Sequence, residues 1–566
     1  MHILGISAHY HDSAAVLIQD GITRCAVEEE RFTRIKHDNG FPFHAISFCL
    51  KSAGIGMQDV DVVAYYEKPL LKFERILETF VETYPRSLRP FLKAVPEWLG
   101  DKIKVERTIR RKLAFRGKLF FVPHHYAHAA ACFYPSGFAK AAILTLDGVG
   151  EYQTTGLWRG DGSKIAPIKS IDFPHSLGLL YSTFTAFLGF RVNDDEYKVM
   201  GLAAYGKPIH VNDIHRIIDV KDDGSFCMDM RYFSFRENFG MWSANFEKLF
   251  GAPRKPDEEI LDRHRDLAAS IQRVTEEIYF KILRHLYSLT KYESLCVGGG
   301  VALNAVANGK IYGKAPFKNV YILGPSGDSG AALGAALFSC HHLLDFAGRH
   351  KIENINLGPA YDDVRVENVL KNSGLAYEKF NTEGKLLYKT ASLLAENEVV
   401  GWFQGKMEFG PRALGSRSIL ANPKPAYMKD KVNRIKRRES FRPFAGSILQ
   451  EKVHEYFNVP EKLLCAPFMN FCFKVGENKK GELAAIVHSD GTCRIQTVNG
   501  NDGRYYKLIK AFQKLAGIPC LLNTSFNLRG EPIVENPEQA IADLLKTEMD
   551  HLVIGNFLVS KATRRE

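Results

Sequence analysis

The hydrophobic pattern of residues 2–30 predicts three strands, "HILGIS", "AAVLIQD" and "TRCAVEEE", with Asp20-Gly21 turning the hairpin between the second and third. "KLFFVP" predicts a further strand leading into the short helix of "HHYAHAAACFYP", which Pro123 suits at its first turn and Pro135 stops. "KAAILTLDGVGEYQTTGLWRGDG" then predicts a strand, a glycine-containing turn and a returning strand, a second copy of the opening pattern. Helical patterns follow at about 176–190 and 259–290. "SLCVGGGVALNAVANGKI" and "NVYILGPSGDSGAALGAALFS" each predict a strand, a glycine-rich turn and an alanine-rich helix. "GRHKIENINLGPAYDD" has no apolar period and predicts a linker. Beyond it, "VVGWFQ", "SILAN" and "AAIVHS" predict strands of a separate core. The class is α/β, and two doubled hairpin halves are the layout of the actin/Hsp70/sugar-kinase superfamily.

A chain of 566 residues is too long for one core. The expected division is 1–347, with a helical insertion at about 70–118, a linker at 348–360, and a second domain over 361–566. Ten cysteines without a C-x-x-C pair suit reduced thiols in a cytoplasmic enzyme and exclude a zinc ribbon. No run of eighteen apolar residues implies a membrane span, and "MHILGISAHYHDS" reads as a strand rather than a signal peptide. The net charge of +11 is unevenly spread: Lys72 to Lys118 holds thirteen Lys/Arg against six Asp/Glu, leaving about +4 for the other 519 residues. That stretch is either a solvated basic helix pair or a docking surface for an anionic partner or substrate.

Three imidazoles open the short helix. His124 and His128 are i and i+4 and share a face, while His125 points about 100° away. Such a pair can chelate one divalent metal, or it can be two hydrogen-bonded histidines at a helix end. The glycine-rich turns allow close backbone approach, and the helix starts after them favour anionic oxygens, which points to a nucleotide or to tight strand–helix packing. In the second domain, "EFGPRALGSRSI", "NRIKRRESFRPFAGSIL", "CRIQTV" and "NTSFNLRGEPIV" cluster Arg, Lys and small polar residues, as a pocket for a small anion would.

Taken together, "HDSAAVL", "EEERFTRIKHD", "HHYAHAA", "LDGVGE", "YKVMGLAAYG", "GGGVALN", "GDSGAALGAAL", "FGPRALGSRSIL", "FRPFA" and "NTSFNLRGEPIV" resemble the NodU/CmcH carbamoyltransferases, in family order and over nearly the whole chain. The resemblance implies an N-terminal actin-like domain related to TsaD and a C-terminal α/β domain related to YrdC. It also implies an O-carbamoyltransferase acting in two stages. Carbamoyl phosphate and ATP, with Mg(II), give carbamoyl adenylate in the second domain. The carbamoyl group then passes to a hydroxyl of a small-molecule acceptor, a natural product or a sugar-containing compound, in the first. The motifs do not name that acceptor, and an amine or guanidine nitrogen also fits.

Carried onto this chain, the resemblance implies a metal site at His124, His128, Asp147 and Asp328, with Fe(II) as the expected ion. It implies His11 as general base, with Asp12 orienting it and His9 as a disfavoured competitor. Carbamoyl phosphate would be held by Lys436, Arg442, Arg494 and Ser525, with Asn523, Arg412 and Arg417 on the same wall. Gly299, Gly300, Asn304 and Lys198 are the nucleotide candidates of the first domain. A tRNA threonylcarbamoyl-type enzyme, a non-catalytic nucleotide-binding scaffold and a kinase are the rival readings. Nucleic acid is not an expected partner, because the fused second domain belongs to the small-molecule family.

Overall fold

The strand His2–Ser7 is buried along nearly its whole length. A five-stranded sheet grows outward from it in the order Ile22–Glu28, Ala14–Gln19, His2–Ser7, Val62–Tyr65, Lys118–Phe121. Ala14–Gln19 is antiparallel to His2–Ser7, whereas Val62–Tyr65 and Lys118–Phe121 continue in parallel. A second sheet repeats this plan around Lys140–Leu146. It has antiparallel Gln153–Asp161 and Lys164–Asp172 on one side, and parallel Ser294–Gly298 and Asn319–Ile322 on the other. Two sheets with the same hairpin-plus-parallel order make this the duplicated actin/Hsp70-like layout that the doubled hairpins predict.

The computed structural model describes residues 1–461 and 465–561. They cluster into two units, the first being Met1–Ala26, Asn39–Ala307 and Ile311–Ile352, and the second Val27–Asp38, Asn308–Lys310 and the chain from Glu353 onward. The expected linker 348–360 is therefore shared out. Ile352 donates to the Pro135 carbonyl and Arg349 to those of Phe133 and Phe138 in the first unit, while Gly358 and Met407 bond in the second. Val27–Asp38 joins the second unit through polar contacts: buried Glu28 Oε1 accepts from the Gly410 amide at 2.6 Å, and half-buried Arg34 donates to the Pro532 and Ile533 carbonyls at 2.7 Å.

In the first unit, the helix Asp328–Phe338 is buried at all eleven positions, and glycine lets its neighbours close on it. A Cβ at Gly334 would sit 1.8 Å from the carbonyl oxygen of Ala127 on the helix His124–Phe133, and one at Gly5 would sit 2.1 Å from that of Ala332. These contacts bring the helix carrying His124 and His128 against the helix that begins at Asp328. Gly334→Ala is expected to wedge them apart, costing about 1–3 kcal/mol of stability as overpacking does. The midpoint of thermal unfolding should fall in that variant.

The basic segment forms the helices Pro69–Glu82, Leu88–Glu97 and Val105–Lys112. Several of its cations cover aromatic rings: Lys93 lies 4.9 Å from Phe239, Lys102 5.4 Å from Trp98, Arg110 5.5 Å from Phe115 and Lys112 5.6 Å from Phe43. Among the described residues, no helix is long and apolar enough to cross a membrane.

The second unit is built on a nine-stranded mixed α/β sheet. Its inner strands include Val400–Phe403, Arg417–Ala421, Cys520–Ser525, Ala445–Leu449 and Thr492–Val498. "VVGWFQ" and "SILAN" lie on two of its strands, but "AAIVHS" does not. There the Ile486 and Val487 amides turn back to the Leu483 carbonyl, and Ala485 bonds to Pro423. Ala485 and Ile486 are buried apolar residues of a turn, so their hydrophobicity mimics a strand.

Candidate active site

His124 is the first residue of its helix, and its amide donates to both carboxylate oxygens of Glu151, at 3.0 and 3.1 Å. Glu151 also accepts from the Lys68 amide at 2.7 Å, so a carboxylate from another segment caps the helix and fixes where its imidazoles point. From that start, His124 Nε2 and His128 Nε2 converge to 3.0 Å. Asp147, just past the strand Lys140–Leu146, places Oδ2 at 2.9 Å from His124 and 3.5 Å from His128. Asp328 places Oδ1 at 3.6 and 3.5 Å from the same two nitrogens. One ligand atom from each of the four lies within 4.8 Å of the others, so the sequence-predicted metal residues come together.

The chemistry of this donor set fits a metal ion. Both oxygens of the buried Asp328 carboxylate lack a hydrogen-bond partner, although a buried charge needs compensation. Burial opposes charging of His128, but Asp147 and Asp328 outweigh it and push its pKa up to about 9. Burial likewise disfavours the Asp147 anion, but His124 and His128 hold this carboxyl well below the usual range. His125 stands apart. Its Nδ1 bonds to Thr145 Oγ1 at 2.8 Å, and burial, with His124 and His128 nearby, pushes its pKa down to about 3. It is a neutral packing residue rather than a fifth ligand.

His11 lies on the turn between the first two strands, where His9 and Asp12 both take left-handed φ values of 72° and 53°. This turn aims His11 Nε2 at Asp328 Oδ2, 3.8 Å away, and leaves Nδ1 bonded to Asp12 Oδ2 at 2.9 Å. Burial lowers the His11 pKa, but Asp328 and Asp12 override it and raise it to about 9.

Gly299 and Gly300 pack against the same cluster. A Cβ at Gly299, whose φ is +90°, would meet the Leu146 carbonyl at 2.2 Å, and the Gly300 amide donates to Asp147 Oδ1 at 3.1 Å. The other nucleotide candidates sit in polar networks: Asn304 exchanges hydrogen bonds with Gln272 at 3.0 and 3.1 Å, and Lys198 pairs with Asp195 at 2.9 Å.

In the second unit, Lys436 Nζ donates to the Ser525 carbonyl, to the Asn527 carbonyl at 3.0 Å and to Asn527 Oδ1 at 2.8 Å. Burial, with Arg438 and Arg442 alongside, holds its pKa well below that of an ordinary lysine. Arg494 is opposite Cys472 in the strand pairing Phe471–Lys474 with Thr492–Val498, and its Nε is buried without a partner. Burial pushes the Cys472 thiol up to about 12 against the opposing pull of Arg494, Arg412 and Lys310. Asn523 donates to the Ala413 carbonyl at 3.3 Å and to Ser447 Oγ at 3.0 Å, while its buried Oδ1 has no partner. Arg417 differs from the rest. It stacks 3.6 Å over Phe403 and its terminal nitrogens donate to the carbonyls of Gln404, Gly405, Ser416 and Pro359, as a core strut would, while its buried Nε has no partner.

Sequence reasoning passed over Glu151, Asn527 and Thr145. Glu151 and Asn527 lie inside quoted motifs, "LDGVGE" and "NTSFNLRGEPIV", so proximity to the chosen residues was the available signal.

Residues 2–337 match a family model described as carbamoyltransferase N-terminus, and residues 391–561 match carbamoyltransferase C-terminus. An uncharacterized protein of Synechocystis sp. strain PCC 6803 is 44% identical, with 100% of this chain and 97% of the relative covered. Nodulation protein NolNO of Sinorhizobium fredii is 38% identical, with 98% of this chain and 79% of the relative covered. Nodulation protein U of Bradyrhizobium diazoefficiens is 35% identical, with 94% and 92% covered.

Proposed function

The chain belongs to the carbamoyltransferase family, and from that premise we propose that it transfers the carbamoyl group in two stages, one in each unit. In the second unit, water cleaves carbamoyl phosphate to carbamate and phosphate, and a carbamate oxygen then attacks the α-phosphorus of Mg-bound ATP and displaces pyrophosphate. Phosphorus balance then gives one carbamoyl adenylate, one pyrophosphate and one phosphate. Arg494, whose buried Nε has no partner, supplies the charge a phosphate needs in a buried pocket, and Lys436, Ser525 and Asn527 add a hydrogen-bonded polar wall.

In the first unit, the acceptor hydroxyl loses its proton to His11 Nε2 as its oxygen attacks the carbamoyl carbon, and AMP leaves. Asp12 holds Nδ1–H and so keeps Nε2 available as the accepting nitrogen. His124, His128, Asp147 and Asp328 would hold a first-row divalent ion, which we assign as Fe(II). Such an ion supplies Lewis-acid polarisation of the carbamoyl oxygen and offsets the carboxylate charge that raises the His11 pKa. The observation that carries this reading is the placement of His11 within 3.8 Å of a buried carboxylate of the ligand set. The acceptor is an alcohol of a small molecule.

His11→Asn tests the assignment. It is expected to preserve carbamoyl-phosphate-dependent pyrophosphate release while transfer falls by about 10²–10⁴-fold, the usual contribution of a positioned base. Transfer can be followed by the acceptor's mass increase. Equal loss of both stages would make His11 a structural residue, and no loss would shift the role to another group.

A further inference from the structure

The helix Pro69–Glu82 presents two cations on one face, Lys72 and Arg75, at i and i+3. Lys72 is accounted for: its Nζ lies 2.5 Å from Glu67 and 4.7 Å from the Tyr10 ring centroid. Arg75 is not. It is only 8% exposed, its guanidinium lies 4.8 Å from the Phe173 ring centroid, and its buried Nε has no hydrogen-bond partner. The carboxylates that tolerate it electrostatically are engaged elsewhere. Glu67 is bonded to Lys72, and Glu151 to the amides of Lys68 and His124.

A buried guanidinium Nε without an acceptor is costly, and the planar fork of the group fits a carboxylate or phosphate in two parallel hydrogen bonds. Phe173 shields one face of the group, so the ligand is met by the edge. The position is close to the chemistry. The Tyr10 ring, 37% exposed, lies 4.5 Å from the ring of His11 and is the neighbour that links Lys72 and Arg75 to it. We infer that Arg75 anchors an oxyanion, a carboxylate or a phosphate, carried by the acceptor at a distance from the hydroxyl that His11 deprotonates. This inference rests on the two-stage reading above. It gives part of the basic insertion a use in acceptor selection.

The test is calorimetric titration of the full chain with inorganic phosphate, read without turnover. In an Arg494→Ala background, which removes a key cation of the second unit's anion pocket, one phosphate should still bind. Adding Arg75→Gln should weaken that binding at least 10-fold, while adding Arg75→Lys, which keeps the charge and loses the fork, should weaken it less. Saturating AMP should leave the Arg75-dependent binding in place, because the anion belongs to the acceptor and not to the adenylate. An isotherm indifferent to Arg75→Gln, an equal loss with Gln and Lys, or displacement by AMP would overturn the inference. Pyrophosphate release from wild type reports the first stage separately, so failure of that reading and failure of this one are distinguishable.

Discussion

His128→Ala is expected to strip the divalent metal from the first unit and to abolish carbamoyl transfer, while circular dichroism retains the α/β signature. His128 is fully buried, and its Nε2 faces His124, Asp147 and Asp328 at 3.0–3.5 Å. The substitution removes one of the four residues proposed to hold the ion and leaves the Asp147 and Asp328 carboxylates with less compensation. Metal affinity should therefore fall by more than the roughly 10–100-fold typical of losing an outer-shell partner. His125→Ala is the matched control. It removes an equally buried imidazole from the same helix, but one bonded to Thr145, so bound metal should remain. Elemental analysis of both purified variants decides between ligand and packing roles. Full metal content in His128→Ala, or equal loss in both variants, would reduce the histidines to structural residues.

Arg494→Met is expected to stop carbamoyl-phosphate-dependent pyrophosphate release while leaving thermal stability equal to or above that of wild type. The two outcomes have one cause. Burial lowers the Arg494 pKa and Arg442 lowers it further, so without a bound anion this guanidinium is an uncompensated charge among other cations. A methionine of similar reach relieves that penalty in the free protein. With the anion bound, the same change removes a charged contact to a buried phosphate worth about 2–5 kcal/mol, a loss of roughly 30- to several-thousand-fold. Phosphate should correspondingly stabilise wild type more than the variant, because a ligand of the native state raises apparent stability. Pyrophosphate release at the wild-type rate would contradict the pocket, and a sharp drop in melting temperature would show that Arg494 is paired in the core.

Much of the first unit was legible because its chemistry sits at local signals. His124 and His128 are one helical turn apart, a spacing that marks them as a pair, whereas Asp147 and Asp328, each after a strand at a glycine turn, were named by the family resemblance and come together with that pair in the fold. The closure that unites them was not legible as such. It depends on Gly334 lying against Ala127, a contact over two hundred residues long in sequence that shows only as small residues in "GAALGAAL". The second unit was harder to read. Its strands run as short, two-sided buried segments such as Arg417–Ala421 and Ala445–Leu449, which carry no alternation to mark them. The apolar turn at 484–487 supplied a false strand by the same ambiguity. Membership of Val27–Asp38 in the second unit, and the unpartnered Nε of Arg75, are set by distant neighbours and leave no local trace. Arg417 shows the converse error. Its motif predicted an anion contact, but its terminal nitrogens bond to backbone carbonyls and leave only Nε without a partner, a fate that residue type cannot reveal.

The central claim is that ATP activates the carbamoyl group as an adenylate before transfer, and product stoichiometry tests it most directly. The full chain would be incubated with ATP, carbamoyl phosphate and Mg(II) and followed by phosphorus NMR. The account predicts that pyrophosphate and phosphate appear in equal amounts, only when both substrates are present, and that they cease in Arg494→Met. Accumulation of ADP, or consumption of carbamoyl phosphate with ATP left intact, would contradict it.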